Sequence, residues 1–558
     1  MSTAGDGGAT AAAVRDPLER LRCAVSEAAG ALRGNGEVPA ASLERPPRAS
    51  FGDYSSNAAM LLAPTLEQQP RQIAERLGEE LKSSMGETLE RTEVAGPGFL
   101  NLFLSDAWFY AALAAVRAEG DNYGSGVVPE NERERVLVEF VSANPTGPLT
   151  VAGGRHASLG DSLARVLQFA GHRVEREYYV NDQGTQIELF GRSIAAAMTG
   201  SEPPEDGYRG DYVADIARRL QAEGLGPDDV DAITRRGIEL IVEEVRATLE
   251  RFRVHFDRWF FERTLEESNR LEPTLERLRN EGYVYESEGA TWFRTTQFGD
   301  DKDRVLRRSS GELTYFASDI AYHEDKRERG YDRLVNVLGA DHHGYVPRIK
   351  AAYEALGGGS GRLEAIIMQL VHVVERGERA QMSKRKGDFV TLDELLDDIG
   401  VDAARFFMLQ RSPDSALDLD LDLARKQSEE NPVYYVQYAH ARISSILANA
   451  GREVVERAER ADLSSLATPL EPSERSLIKR LLEFPQEVRE TTERRAPHRL
   501  TTYVRDVASD FHAFYRDCHV VGAEPAELED FRICVCLATR RVLARSLDLL
   551  GVEAPEQM

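Results

Sequence analysis

The chain has 558 residues, 94 acidic against 69 basic side chains, and a formal net charge of −25. That length holds about three or four domains, and 42% apolar with 29% charged residues describes a globular chain rather than a disordered one. No apolar run approaches the ~20 residues of a membrane span, so no membrane partner is expected.

The opening MSTAGDGGATAAAVRD carries Asp6 where a signal peptide carries positive charge. The four cysteines, Cys23, Cys518, Cys534 and Cys536, are too few and badly spaced for a disulfide framework or a CxxC zinc site. A reducing cytoplasm is therefore the expected compartment. Overall acidity disfavours a nucleic-acid partner, because phosphate binding usually leaves a basic footprint; local positive tracks decide that question. Eight of the 69 basic residues are lysines, so arginine is the default cation and each lysine stands out.

In chain order, residues 1 to about 14 are rich in Gly, Ala and Thr and are expected to be disordered. A helix follows Asp16-Pro17, with Leu18, Leu21, Val25 and Ala29 on one face. Turn-rich segments, a further helix and the strand-like GPGFLNLFL at 96–104 complete an α+β unit over 1–130. From 131 the pattern becomes α/β. Val136 to Val141 is almost continuously apolar, as a buried parallel strand reads, and Leu159, Leu163, Val166, Leu167 and Ala170 then share one helix face. Further strands are predicted at 333–338 and 365–371. A mostly helical segment at about 200–300 reads as an insertion. The expected fold of 131–415 is a doubly wound parallel sheet, with ligands at the carboxyl ends of its strands. After 415 the periodicity is helical, over 434–448, 473–488, 499–518 and 528–550, which predicts an all-α domain over 416–558.

The common nucleotide and metalloprotease patterns, GxxxxGK[ST], GxGxxG and HExxH, are absent. Four stretches carry chemistry instead. Gln381 to Gly387, QMSKRKG, clusters Lys384, Arg385 and Lys386 beside Ser383. Three adjacent cations repel one another unless an anion arrives, which suits a leaving pyrophosphate; a solvated charge run is the alternative. Asn144 to His156 places Gly153-Gly154 at a predicted helix start, where backbone N–H groups can meet phosphate; an ordinary glycine-rich connection is the alternative. Gly339-Ala-Asp341-His342-His343-Gly lies at a strand end and suits nucleotide contact; as a metal site it is poor, since adjacent side chains on a short loop diverge. Glu139 lies in an apolar strand and Asp319 in TYFASDIAY. A buried carboxylate needs a cation, either a guanidinium ligand, which pairs bidentately, or an internal Arg or Lys.

These segments together resemble a family. VEFVSANPTGPL, EREYYVNDQGTQIELFGRS, TYFASDIAYHEDK, NVLGADHHGY, MSKRKGDFV, SEENPVYYVQYAHARI and LDLLGVEAPEQM, in this order, are similar to bacterial arginyl-tRNA synthetases, which are class I aminoacyl-tRNA synthetases. FGDYSSNAAM and VAGPGFLNLFL resemble the family's N-terminal tRNA-binding domain.

The resemblance implies ATP-dependent formation of arginyl-adenylate and transfer of arginine to the 3′ adenosine of tRNA(Arg). The cofactors implied are ATP with Mg2+, without zinc, in a monomer. Lys384, Lys386, Ser383 and Arg385 are implied as catalytic. Glu139, Asn144, Tyr315, Asp319 and Gln369 fall where the family holds arginine. Thr150, Gly153, Gly154, Gly339, Asp341, His342, His343 and Met382 fall where it holds ATP. Phe51, Tyr54 and Asn57 are implied at the tRNA elbow, and Tyr434, Tyr438, Arg442, Arg494, Arg495, Arg499, Arg540 and Arg541, with His498 and Arg545, at the anticodon stem and loop. For these arginines, helix-surface ion pairs are the alternative.

One departure stands out. The family's first signature, His-x-Gly-His after NPTGPL, is here Thr150-Val151-Ala152-Gly153. Losing such donors to the phosphates slows catalysis, so a tRNA-binding paralogue with weak or no adenylation is the alternative function. Arg155 and His156, one turn on, are the candidate side chains for compensation.

Overall fold

The computed structural model of the chain describes residues 16–34, 41–379, 390–466 and 468–558. The expectation for residues 1–14 lies outside them. Helix α1 (Pro17–Arg33) starts where the Asp16 carboxylate accepts the Leu18 N–H at 2.9 Å, with Pro17 in the first turn. It buries Leu18, Leu21, Val25 and Ala29, the predicted face. A four-stranded antiparallel sheet follows, in the order β1-β2-β4-β3, from β1 (Leu43–Glu44), β2 (Tyr54–Ser56), β3 (Leu89–Ala95) and β4 (Phe99–Leu104). Helices α2 (Ala58–Leu66), α3 (Pro70–Met85) and α4 (Asp106–Glu119) complete the unit.

The second sheet is parallel throughout, in the order β12-β11-β5-β6-β7. Its strands are β5 (Arg135–Glu139), β6 (Arg173–Val180), β7 (Arg258–Phe261), β11 (Arg333–Gly339) and β12 (Leu363–Met368). Val136, Leu137 and Val138 of central β5 are shielded on both faces, which is why this stretch reads as an uninterrupted apolar run. Helix α5 (Val151–Ala170) connects β5 to β6, and α6 (Thr185–Thr199), α7 (Asp211–Ala222) and α8 (Val230–Arg251) lead to β7. Short helices α9 (Arg263–Glu267) and α10 (Leu271–Asn280), a small antiparallel sheet of β8 (Val284–Ser287), β9 (Ala290–Phe293) and β10 (Arg304–Arg307), and α11 (Tyr315–Glu328) lead back to β11. The chain thus winds outward from β5 to one side and returns to its other side, leaving a crevice between the carboxyl ends of β5 and β11.

Two expectations are corrected here. The segment 200–300 is not a purely helical insertion, because it supplies β7, the edge strand of the main sheet, and the β8–β9 hairpin. The predicted strand 365–371 is two strands: β12 ends at Met368, and β13 (Val371–Glu375) joins β14 (Glu378–Arg379) and β15 (Leu417–Asp420) in a separate sheet. A run of apolar residues does not reveal a change of sheet.

Helix α12 (Val346–Ala355) follows β11, with Pro347 in its first turn. Helix α13 (Leu392–Leu409) begins at a capping box of Thr391 and Glu394. Beyond β15 and the short α14 (Leu421–Ala424) the structure is helical: α15 (Pro432–Ala450), α16 (Arg452–Arg460), α17 (Pro472–Leu482), α18 (Phe484–Arg494), α19 (His498–Asp517) and α20 (Ala526–Leu550). Buried pairs join the parts. Asp161 of α5 meets Arg405 of α13 at 2.5 Å, Arg405 also donates to the Leu550 carbonyl at 2.9 Å, and Lys479 of α17 meets Asp53 at 3.0 Å. No helix of the described residues is long and apolar enough to cross a membrane.

Candidate active site

The crevice holds a cavity of about 380 Å³, within the range of small-molecule sites. The chain leaves β5 through Val141 and Ser142, both in the left-handed region at φ 68° and 40°. That conformation is costly for a β-branched residue. It lets the Ser142 hydroxyl donate to Glu139 Oε1 at 2.9 Å and accept the Tyr179 N–H at 3.2 Å, so Glu139 is held at the cavity wall.

Three carboxylates line one end: Glu139 at the close of β5, Glu262 just past β7, and Asp319 in α11. Glu139 has an internal cation, because buried Lys326 contacts its Oε2 and donates to Asn336 Oδ1 at 3.1 Å, with Nζ 4.3 Å from the Tyr322 ring centre. Asp319 and Glu262 have no ion pair among the described residues. Burial, then the charges of Glu262 and Glu139, push the Asp319 carboxyl well above its usual range, and Lys326 and Arg348 do not outweigh them. Burial raises Glu262 as well, against hydrogen bonds from Tyr179 and Ser318. Carboxyls kept from water and without a cation of their own are held toward the neutral form, and a cationic ligand is what ionises them.

Asn144 and Tyr315 also line the cavity. Asn144 donates to Gln186 at 2.7 Å, and Tyr315, 58% exposed at the rim, accepts the Thr185 N–H at 3.4 Å. Gln369 is not among the lining residues; its backbone is fixed by Arg155 and by the Pro413 carbonyl. Glu262, Tyr179 and Lys326 escaped the sequence reading, although each left a signal. Glu262 follows an apolar strand as Glu139 does, and Lys326 is one of eight lysines.

The cavity is also lined by Val337, Leu338, Gly339, His342, Lys350 and His156. Asp341 and His343 lie on the same exposed 3-10 turn as His342. Thr150 precedes α5 without a side-chain cap and pairs by an isolated bridge with Thr391. The Leu392 N–H donates to the Leu149 carbonyl at 2.7 Å. The chain that carries Met382, Ser383, Lys384, Arg385 and Lys386 therefore returns at Val390–Thr391 beside the start of α5, although those five residues lie outside the described residues.

Gly154 is a correction. Its N–H is spent on the Thr150 carbonyl at 3.0 Å, and a Cβ there would come within 2.7 Å of Leu392, so it serves α5–α13 packing rather than phosphate. Arg155 is a second. It is fully buried and donates to the carbonyls of Gln369, Leu370, Ser412 and Ser415, so it cannot reach the cavity.

Among the residues expected at tRNA, Tyr54 is corrected: it is core, packed edge-on against Trp108. Phe51 is 41% exposed, and Asn57 accepts the Ser42 N–H. Tyr434, Tyr438 and His512 form a stacked series across α15 and α19, and Arg442 lies 4.7 Å from the Tyr515 ring centre. The basic tracks are largely paired. Arg495 meets Glu364 at 3.0 Å, Arg499 meets Glu487 and Glu490, Arg541 meets Glu459, Arg545 meets Asp548, and Arg494 meets Glu490 at 3.5 Å. Arg540 has no ion pair among the described residues.

Comparison with known proteins bears on the whole chain. Three family models match: "Arginyl tRNA synthetase N terminal domain" over 18–104, "tRNA synthetases class I (R), catalytic domain" over 119–202 and 215–439, and "DALR anticodon binding domain" over 436–558. Curated relatives include an arginine–tRNA ligase of Bacillus subtilis, 44% identical over 97% of this chain and 98% of its own length. One of Frankia alni is 46% identical over 93% and 94%. The solved Thermus thermophilus arginyl-tRNA synthetase superposes with a TM-score of 0.74 at 25% identity, covering 97% of this chain and 99% of that one. With the parallel-sheet crevice, its acidic end and the helical C-terminal part, these matches show that the chain belongs to the bacterial-type arginyl-tRNA synthetases of class I.

Proposed function

We propose that the chain is an arginine–tRNA ligase, which activates L-arginine with ATP and transfers it to the 3′ adenosine of tRNA(Arg). The observation that carries the reading is the acidic end of the cavity, where Glu139, Glu262 and Asp319 outnumber the one contacting lysine. A guanidinium offers five donors and a permanent charge to such a cluster, and its arrival offsets the burial and the repulsion by Glu262 and Glu139 that raise Asp319. With the guanidinium held there, the arginine carboxylate points along the crevice toward Gly339 and the start of α5. The carboxylate oxygen attacks the ATP α-phosphorus, the bond to the bridging oxygen breaks, and pyrophosphate leaves. The terminal ribose hydroxyl of tRNA then attacks the acyl carbon, and AMP leaves with the bonding electron pair.

By resemblance to the family, Lys384 and Lys386 serve the phosphates, and the pairing of Thr391, where the described chain has resumed, with Thr150 supports this. Mg2+ enters with the ATP phosphates. Division into 1–130, 131–415 and 416–558 serves tRNA elbow, chemistry and anticodon respectively, in a cytoplasmic monomer. Phe51 and Asn57 serve the elbow; Tyr434, Tyr438, Arg442 and Arg540 serve the anticodon stem and loop.

The test is arginine-dependent ATP–pyrophosphate exchange with tRNA(Arg) present. Exchange well above background is expected. Measurable tRNA binding without exchange would sink the ligase reading and leave a non-charging tRNA-binding protein.

A further inference from the structure

The side chains that the family's first signature would aim at the nucleotide are missing at positions 150 and 153, yet the same helix carries an imidazole one turn later. In the first two turns of α5, Val151, Gly154 and Arg155 are buried, whereas Ala152, Gly153 and His156 are not. Residues at i and i+4, or i and i+3, lie on one helix face, so this stripe faces the crevice. Ala152 and Gly153 bring no donor to it, and Arg155 points to the other side of the helix. His156 is then the first polar side chain of α5 that reaches the cavity, and the groups that act on it are Arg155, Asp341, His342 and the Val337 backbone rather than the three carboxylates.

Three histidines line the cavity. Both ring nitrogens of His323 are engaged, Nδ1 with the Asp319 carbonyl at 2.8 Å and Nε2 with Asn336 at 3.0 Å. His342 sits on the exposed 3-10 turn, 3.5 Å from Asp341. His156 differs from both, because no side chain engages its ring: Nδ1 is screened from water without a partner, and the one group that hydrogen-bonds the imidazole is the Val337 backbone. A buried, unmatched ring nitrogen is costly in the empty protein. Burial, then repulsion by Arg155, lowers this imidazole to about 4, so at neutral pH it is an uncharged group able to give or accept one hydrogen bond at each nitrogen.

We propose that His156 contacts the bound nucleotide through the part of its imidazole that lines the cavity, at the ribose or α-phosphate, and so takes over part of the work done elsewhere in the family by the first-signature histidines. The contact lies at the nucleotide end of the cavity and leaves the arginine end untouched. This inference rests on the ligase reading above for its substrate, and on the cavity for its geometry.

His156→Phe keeps a planar ring and removes both nitrogens; His156→Ala removes the ring. Each is purified as the full chain, with its melting temperature compared to wild type. Titration calorimetry gives the affinities for L-arginine and for 5′-O-(N-arginylsulfamoyl)adenosine, a non-hydrolysable adenylate mimic, and exchange with tRNA gives the rate. The Phe variant is expected to bind the mimic at least 10-fold more weakly and to exchange about 100-fold more slowly, with arginine affinity within 2-fold of wild type. Mimic affinity and exchange within 3-fold of wild type in the Phe variant overturn the proposal. So does an equal loss of arginine and mimic binding, which marks a structural role. If wild type fails to exchange, the ligase reading falls, and mimic binding alone still judges His156.

Discussion

At the carboxyl ends of β5 and β11 three carboxylates share one cavity wall, and of these Glu139 alone contacts a cation, Lys326, among the described residues. Just past α18 and on α19 and α20 the arrangement is reversed: Arg495, Arg499, Arg541 and Arg545 each meet a carboxylate. Both regions are rich in charge, and sequence alone marks both as ligand sites. The difference lies in compensation. A charge already neutralised by a neighbour is part of the fold, whereas a buried carboxyl without a cation is left to be ionised by a ligand. Arg495 reaches Glu364, which extends from β12 of the parallel sheet, so this arginine fastens the helical part to the sheet.

The comparison can be broken from either side. The largest effect is expected at the basic segment: Lys384→Ala should lower exchange by about 10²–10³, and an undiminished rate would remove the pyrophosphate role. Asp319→Asn comes next. Truncating one partner of a buried charge pair costs about 2–5 kcal/mol, so the KM for arginine should rise about 100-fold while the KM for ATP stays within about 3-fold. A parallel rise in both would show that the acidic end is structural.

A smaller effect concerns protons. Asp319 and Glu262 are raised in the empty protein, and a bound guanidinium favours their ionised forms. Arginine binding should therefore release protons. Affinity should be highest where both carboxyls are already ionised and should weaken as pH falls through their raised range. Calorimetry in two buffers of different ionisation enthalpy measures this release, and no proton release would refute the assignment.

The smallest effects belong to the paired arginines. Arg495→Ala should leave tRNA affinity within about 2-fold and lower stability by up to about 1 kcal/mol, as exposed or half-exposed pairs do. Arg540→Ala and Tyr438→Ala should instead weaken tRNA binding several-fold with little change in melting temperature. A filter-binding assay at two salt concentrations checks both, since loss of a phosphate contact also reduces the salt slope. If Arg495→Ala weakens tRNA binding more than Arg540→Ala does, compensation is the wrong criterion.

Much of the fold was legible because apolar periodicity records burial directly. The buried run of β5, the face of α1 and the four predicted C-terminal segments all reappear, although 473–488 is broken into α17 and α18 at Glu483. What escaped was membership: β7 joins the main sheet from within a helical region, and β13 leaves it. Strand pairing is a relation between distant segments, and no local pattern encodes it. The site followed the same rule. Glu139 and Asp319 stood out as carboxylates in apolar surroundings, whereas Glu262 needed the curvature of the chain past β7 to bring it to the same wall.

The order of segments determined the family, the α/β core and the helical C-terminal part, and it exposed the replacement of the signature histidines by Thr150 and Gly153. Tertiary structure decided the rest: that Gly154 and Arg155 are packing groups, that Tyr54 is core, that most of the C-terminal arginines are paired, and that His156 lines the cavity. The reason is physical. Residue type fixes what a side chain is able to bind, but burial and the nearest opposite charge fix whether it is still free to do so.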